Sequence, residues 1–312
     1  METPWGDLDV SDAHVHFLSH RFFSLLTGQK ADFGPDPLAR AGAVLGWEMP
    51  PEEPESLARR WIAELDRHGV RSTVLIASLP GDEESVAAAV TAFPTRFRGL
   101  FMVNPCEPGA GERVRSWLGR GLGGVCLFPA MHRYSLHDAS VAPVLNAVAA
   151  HPGTVVFVHC GVLTVGVRRK LELPSPFDMR FSNPIDLHAI ALRYSQVSFI
   201  VPHFGAGYLR EALMICDLCP NVHLDTSSSN QWMRYLEPGC DLASVFRRAL
   251  GIAGPRRLLF GTDSSFFPRG WHREIFDSQV AALGSLGLSK EDAQAIFGGN
   301  LHRLLGGNAL GR

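Results

Sequence analysis

The stretch LDVSDAHVHF, residues 8–17, runs from apolar residues in near alternation to two histidines one residue apart. Side chains on a strand alternate between faces, so His14 and His16 project to the same side, one pleat apart. Two imidazoles held in that way can grip one metal ion, and imidazole suits zinc, iron and related ions. Taken alone, the stretch is equally compatible with a pair of hydrogen-bonded core histidines.

Seven further apolar runs follow at intervals. They are STVLIAS (72–78), FRGLFMVN (97–104), GGVCLFP (123–129), TVVFVHCG (154–161), VSFIVPHFG (197–205), NVHLDTSS (221–228) and RLLFGTDSS (257–265). Most are rich in β-branched or aromatic residues and end in Gly, Pro, Ser or Asn, as strands bounded by turns do. Their nearly unbroken apolar character suits parallel strands covered on both faces. Helical periodicity lies between them: Leu57, Trp61, Ile62 and Leu65 share one face, as do Val141, Val144, Leu145 and Val148. Near the C-terminus, Ser289 reads as a helix N-cap with Asp292 reaching back to it. A β-then-α order repeated eight times predicts an α/β fold, a (β/α)8 TIM barrel, over a single domain, 1–312. Two connections, 18–50 after the first strand and 162–185 after the fifth, are too long for turns. Insertions of that length serve as lids, binding loops or partner surfaces, and these would emerge at the C-terminal face of the barrel. The last residues, GGNALGR, are expected to fray.

Composition narrows the class. Hydrophobic residues make up 46 % and charged residues 19 %, and 29 Lys and Arg against 31 Asp and Glu leave a net charge of -2. No run of like charge marks a nucleic-acid or membrane partner. The N-terminus METPWGDLDV lacks the basic start and apolar stretch of a secretion signal. No segment reaches the roughly 18 apolar residues that span a bilayer. Six cysteines are too few for a disulfide scaffold, so a reduced, cytoplasmic setting is expected.

Three more ionisable residues stand where an apolar strand runs out: His159 in FVHCG, His203 in VPHFG and Asp263 in FGTDSS. Buried ionisable groups are costly without a partner, so five of them converging on one end of a barrel point to a metal site. This set resembles the amidohydrolase superfamily, and more narrowly its amidohydrolase-related branch of hydrolases and aromatic-acid decarboxylases. DAHVHF, FVHCG, the NPIDL stretch before VSFIVPHFGAG, NVHLDTSS, RLLFGTDSSF and IFGGNLHRLL carry the resemblance over nearly the whole chain. It implies His14, His16, His159 and Asp263 as metal ligands and His203 as a catalytic histidine beside the ion. Two-metal members commonly carry a bridging lysine or glutamate on the fourth strand. GGVCLFP has neither, only Cys126 near the matching position, which favours one divalent ion, zinc above others. A homo-oligomer is also expected on family grounds, with 18–50 able to supply the interface.

Other positions carry weaker signals. Asp12 shares the parity of the two histidines and would lie deeper in the barrel, where it could orient an imidazole. Its alternative is a carboxylate bonded to neighbouring backbone. Asp225 ends the seventh strand and is given a supporting role at the mouth. Arg269 follows the eighth strand and could hold a substrate carboxylate through paired hydrogen bonds. Arg168, Arg169 and Lys170 read as solvated loop residues. Phe22, Phe23, Phe266, Phe267 and Trp271 would either wall a substrate ring or anchor their loops. Cys160 and the Cys216-x-x-Cys219 pair read as packing and the remaining histidines as surface or cap residues, while the glycines of HFGAG resemble a nucleotide-binding fingerprint but lack its full spacing. The expected reaction is hydrolysis of an amide, ester or lactone of a small molecule by metal-activated water. Its rival is non-oxidative decarboxylation of an aromatic or unsaturated carboxylic acid.

Overall fold

A computed structural model describes residues 1–30 and 32–306. The expected fraying of 307–312 lies outside them. Eight parallel strands follow one another in chain order: β1 Val10–His16, β2 Val70–Ala77, β3 Phe97–Met102, β4 Gly124–Leu127, β5 Val155–Val158, β6 Ser198–Val201, β7 Val222–Asp225 and β8 Leu258–Leu259. Between β8 and β1 the ladder is completed by Ala13 N to Phe260 O (2.8 Å), Asp263 N to His14 O (3.0 Å) and His16 N to Ser264 O (2.7 Å). The sheet thus closes on itself as the expected barrel. A short hairpin, Glu2–Thr3 with Gly6–Asp7, precedes it. Among the described residues no helix is long and apolar enough to cross a membrane.

Two apolar layers hold the barrel. An inner one fills its lumen with Ala13, Val74, Ile76, Leu100, Phe157 and Ile200 among others. An outer one packs the opposite faces of the strands against the helices, with Val10, Val15, Trp61 and Trp271 in it. Cys126 belongs to the inner layer, and Cys160, Cys216 and Cys219 to the outer one, all as free thiols. The helix at Lys290–Gln294 starts on the expected cap, with the backbone N–H of Asp292 donating to Ser289 Oγ (3.1 Å).

The two long insertions fold over the C-terminal face. The first forms helices His20–Thr27 and Pro37–Leu45, the second a short helix Gly166–Lys170. Phe22, Phe23, Phe33 and Leu45 from the first pack with Val167 and Leu171 from the second in a third apolar cluster. Arg168 donates to Gln29 Oε1 (2.7 Å), so it ties the insertions together.

Two expectations fail in instructive ways. β8 is regular for only two residues, because beyond Leu259 its backbone turns to bond β1 on one side and Ile296 O on the other. His223, expected at the surface, is buried in the lumen side of β7 with its Nδ1 unpartnered. Burial, aided by the charges of Arg303 and Arg257, lowers its pKa to about 4. The unfolded chain therefore binds this proton first, near the usual histidine value of about 6.5. Stability from His223 is complete above that value and is lost as pH falls from 6.5 toward 4, by roughly 3 kcal/mol in all. The variant His223→Gln should therefore show a flatter fall of Tm between pH 6.5 and 4. Parallel curves for the variant and the wild type would refute the assignment.

Candidate metal centre

His14 and His16 stand at the C-terminal end of β1, and Asp263 stands just beyond β8. Their ligand atoms form a tight group: His14 Nε2 to His16 Nε2 is 3.2 Å, His16 Nε2 to Asp263 Oδ1 is 3.1 Å, and His14 Nε2 to Asp263 Oδ1 is 3.8 Å. It is the one such group of three or more His, Cys, Asp or Glu among the described residues.

Hydrogen-bond partners assign the tautomers. His14 Nδ1 lies 2.6 Å from Asp225 Oδ2, an acceptor only, so the proton is on Nδ1. Ser78 Oγ donates to Ile76 O (3.1 Å) and is therefore the acceptor for His16 Nδ1 at 2.6 Å. With both rings neutral the two Nε2 atoms are bare, and their lone pairs face one another at 3.2 Å. That contact is repulsive unless a proton or a metal ion is shared between them. Donors bound about 2.0–2.1 Å from a tetrahedral ion stand about 3.3 Å apart, close to the separations seen.

His159 ends β5 outside this tight group. It is buried, its Nδ1 has no hydrogen-bond partner, and its ring lies 5.5 Å from that of His203. Burial, reinforced by the neighbouring His203 and His14, drives its pKa well down, so it stays neutral. An orphaned neutral imidazole beside three converging donors fits a fourth ligand for the same ion. Cys126, on the fourth strand, is buried and its thiol is pushed well up by that burial, so it adds no anionic donor.

The His203 ring stacks on that of His14 at 5.1 Å. Its Nδ1 lies 3.1 Å from Ser227 O and 3.0 Å from Ser227 Oγ. Burial lowers its pKa and keeps it neutral. A carbonyl can only accept, so with the hydroxyl turned away the proton is on Nδ1 and Nε2 is a base. With the hydroxyl donating to Nδ1, the proton moves to Nε2. His203 can therefore take a proton or present one.

The backbone is strained around this cluster. His203 (φ 56°), Phe204 (φ 51°) and Asp263 (φ 59°) occupy the left-handed region, which non-glycine residues adopt at functional sites when their surroundings over-determine them. Two glycines make the approach of the loops feasible. A Cβ on Gly161 would lie 2.1 Å from Gly205 O, where the turns carrying His159 and His203 meet. A Cβ on Gly261 would lie 2.7 Å from Asp225 Oδ1 and 3.0 Å from His14 Cβ.

Asp225 takes its place against His14, buried and bonded also by Ser227 N (2.7 Å). Burial alone would raise its carboxyl, but the His14 imidazole outweighs it and keeps Asp225 ionised. Asp12 does not touch an imidazole. A register shift between Asp12 and Val15 breaks the alternation of β1. Ala13 faces the lumen and Asp12 turns outward to accept from Trp271 Nε1 (2.7 Å), Thr262 N (3.1 Å) and His14 N (2.8 Å). The backbone-bonded alternative is the one realised, and Asp12 locks β1 to the strand-eight segment.

Arg269 donates to Ser265 Oγ (3.1 Å) and lies over the Phe266 ring, which stacks on Trp47 at 4.0 Å. Its Nε is buried without a partner, and among the described residues no carboxylate is within ion-pair distance of it. Trp271 and Phe267 pack in the outer core, and Phe267 also lines a small cavity with Phe23, Trp47 and Phe266. Ser78, Ser227 and Thr262 were not legible as site residues, although each is a polar residue closing an apolar run.

A family model described as amidohydrolase matches residues 11–307. The chain belongs to the amidohydrolase family. Among solved structures, this chain resembles a probable 2-pyrone-4,6-dicarboxylic acid hydrolase from Acinetobacter baumannii, solved with citric acid bound. The TM-score is 0.60 at 15 % identity, over 96 % of this chain and 100 % of that one. It also resembles 5-carboxyvanillate decarboxylase from Novosphingobium aromaticivorans with bound manganese, at TM-score 0.61 and 14 % identity over 95 % of this chain and 96 % of that one. At such identities the likeness is one of fold. Protein fluG of Emericella nidulans is 33 % identical over 87 residues, 28 % of this chain and 10 % of that much longer protein.

Proposed function

We propose that this family member is a metal-dependent hydrolase acting on an amide, ester or lactone bond of a small molecule. One divalent ion, zinc above others, would be held by His14, His16, His159 and Asp263. The supporting observation is the pair of bare Nε2 atoms at 3.2 Å, with Asp263 Oδ1 completing the triangle. When bound, such an ion supplies Lewis acidity and lowers the pKa of water from about 16 toward about 7. Asp263 Oδ1 faces the imidazoles, which leaves its other oxygen to take the proton of the attacking water and pass it to the leaving group. His203, with Ser227 Oγ donating to Nδ1, presents Nε2–H to the carbonyl oxygen as charge develops there. Arg269 holds a carboxylate on the substrate.

Arg269 also favours a second reading, decarboxylation of an aromatic or unsaturated acid. A half-buried guanidinium without a counter-ion invites a carboxylate, and any substrate of a carboxy-lyase has one. In that case Asp263 or His203 would deliver the proton to carbon.

The deciding experiment is metal content by mass spectrometry on the purified wild type and His14→Ala. The expected result is about one ion per chain, zinc or manganese, lost in the variant. Two ions per chain would mean that a bridging ligand exists, and none after reconstitution would remove the metal-dependent reading. A panel of lactones, esters and hydroxybenzoates then separates the two reactions. Carbon dioxide release with no ester or lactone cleavage would replace hydrolysis with decarboxylation.

A further inference from the structure

The helix Arg273–Ser285 packs its face Ile275, Phe276, Ala282 and Leu283 on the outside of the barrel. At the centre of that apolar face stands Gln279, fully buried. Its amide hydrogens go to Thr226 O (2.9 Å) and Gly261 O (3.1 Å), and its Oε1 accepts from Thr226 Oγ1 (2.6 Å). Both amide hydrogens and one lone pair of Oε1 are used, and all three bonds go to two strand ends. A polar side chain among apolar ones is costly to bury, and here the cost is offset in full by these bonds.

Those two strand ends carry the site. Thr226 lies between Asp225, which holds His14, and Ser227, which holds His203. Gly261 lies two residues before Asp263. The regular pairing of β7 with β8 covers only Leu224 with Leu258 and Asp225 with Leu259, and Thr226 N to Leu259 O is the last rung. Beyond it the Thr226 and Gly261 carbonyls have no strand donors for each other. The Gln279 amide supplies both.

We propose that Gln279 is a positioning residue: from the outer helix, touching no ligand, it fixes Asp263 and the Asp225–Ser227 pair against one another. This rests on the ligand set proposed above. Asp263 keeps a left-handed backbone, a conformation that its surroundings define. Supporting groups outside the ligand set characteristically set metal affinity by about 10- to 100-fold.

The test uses the full chain with Gln279→Met, which keeps the length and apolar fit and loses all three bonds. Thr226→Val is a milder variant should the first not fold, and Val114→Ala, fully buried in the helix Ala110–Gly119 beyond β3, is a control for general loss of stability. Two quantities are read: zinc affinity, and the downfield proton signal of His14 Nδ1–H bonded to Asp225 in metal-free protein. Expected is a zinc affinity at least about 10-fold weaker in Gln279→Met. The His14 signal should broaden or shift, with both readouts unchanged in Val114→Ala. A folded Gln279→Met with wild-type affinity and an unaltered signal would overturn the proposal. So would equal losses in the Val114→Ala control. Should the wild type take up no zinc, the ligand assignment fails by itself. The His14 signal then decides on Gln279 alone: its change supports the positioning role and its persistence ends it.

Discussion

Asp263→Asn should lower turnover by roughly 10²- to 10⁴-fold while the chain stays folded. The two parts of that expectation have separate causes. Asparagine has the shape of aspartate and is among the few residues that tolerate the left-handed conformation, so the backbone at φ 59° has no reason to relax. What the amide cannot do is take a proton from water and hand it on. Burial alone would raise the Asp263 carboxyl, yet the imidazoles of His16, His14 and His203 beside it outweigh burial and hold it well below the usual carboxylate range. The residue is therefore ionised at neutral pH. His203→Asn, again compatible with its backbone at φ 56°, should cost a similar factor through loss of the donor at Nε2. The measurement is initial rate on whichever panel substrate the zinc-loaded wild type turns over, with circular dichroism to establish folding. Near-normal rates in either folded variant would remove that residue from the chemistry.

A second large effect is expected at a residue with no side chain. Gly261→Ala would place a methyl group 2.7 Å from Asp225 Oδ1 and 3.0 Å from both His14 Cβ and Ser227 Cβ. None of these is the loose end of a flexible chain. Asp225 is held by His14 Nδ1 and Ser227 N, and His14 is anchored on β1. Overpacking of this kind costs about 1–3 kcal/mol, which a lower Tm will show. The displacement falls on the carboxylate that orients His14, so zinc affinity should drop about 10- to 100-fold as well. A variant with lowered Tm but wild-type affinity would mean that the His14–Asp225 pair does not set the metal geometry.

The two expectations depend on different kinds of information. Asp263 and His203 were legible because a strand that runs out on an ionisable residue in eight repeated β/α units has only one place to deliver it, the mouth of a barrel. Gly261 was legible as a turn residue only. What it makes room for, Asp225 and His14, lies 36 and 247 positions away in the chain, as their numbers show. Asp12 shows the converse. Strict alternation along DAHVH assigns it to the same side as the histidines, and one irregularity in the register of β1 sends it to the outer layer instead. A bulge costs a single residue and leaves no compositional mark, so pattern cannot reveal it.

The sequence by itself determined the barrel and placed five ionisable residues at one end of it. It could do so because those features arise from local periodicity and from where apolar runs stop. Only the tertiary structure decided which nitrogen of each imidazole is bare, which residues hold it so, and that Gln279 reaches the site from an outer helix. Those depend on partners far apart in the chain meeting within hydrogen-bond distance. A hydrogen bond is decided by a few tenths of an ångström and an angle, which sequence spacing does not encode.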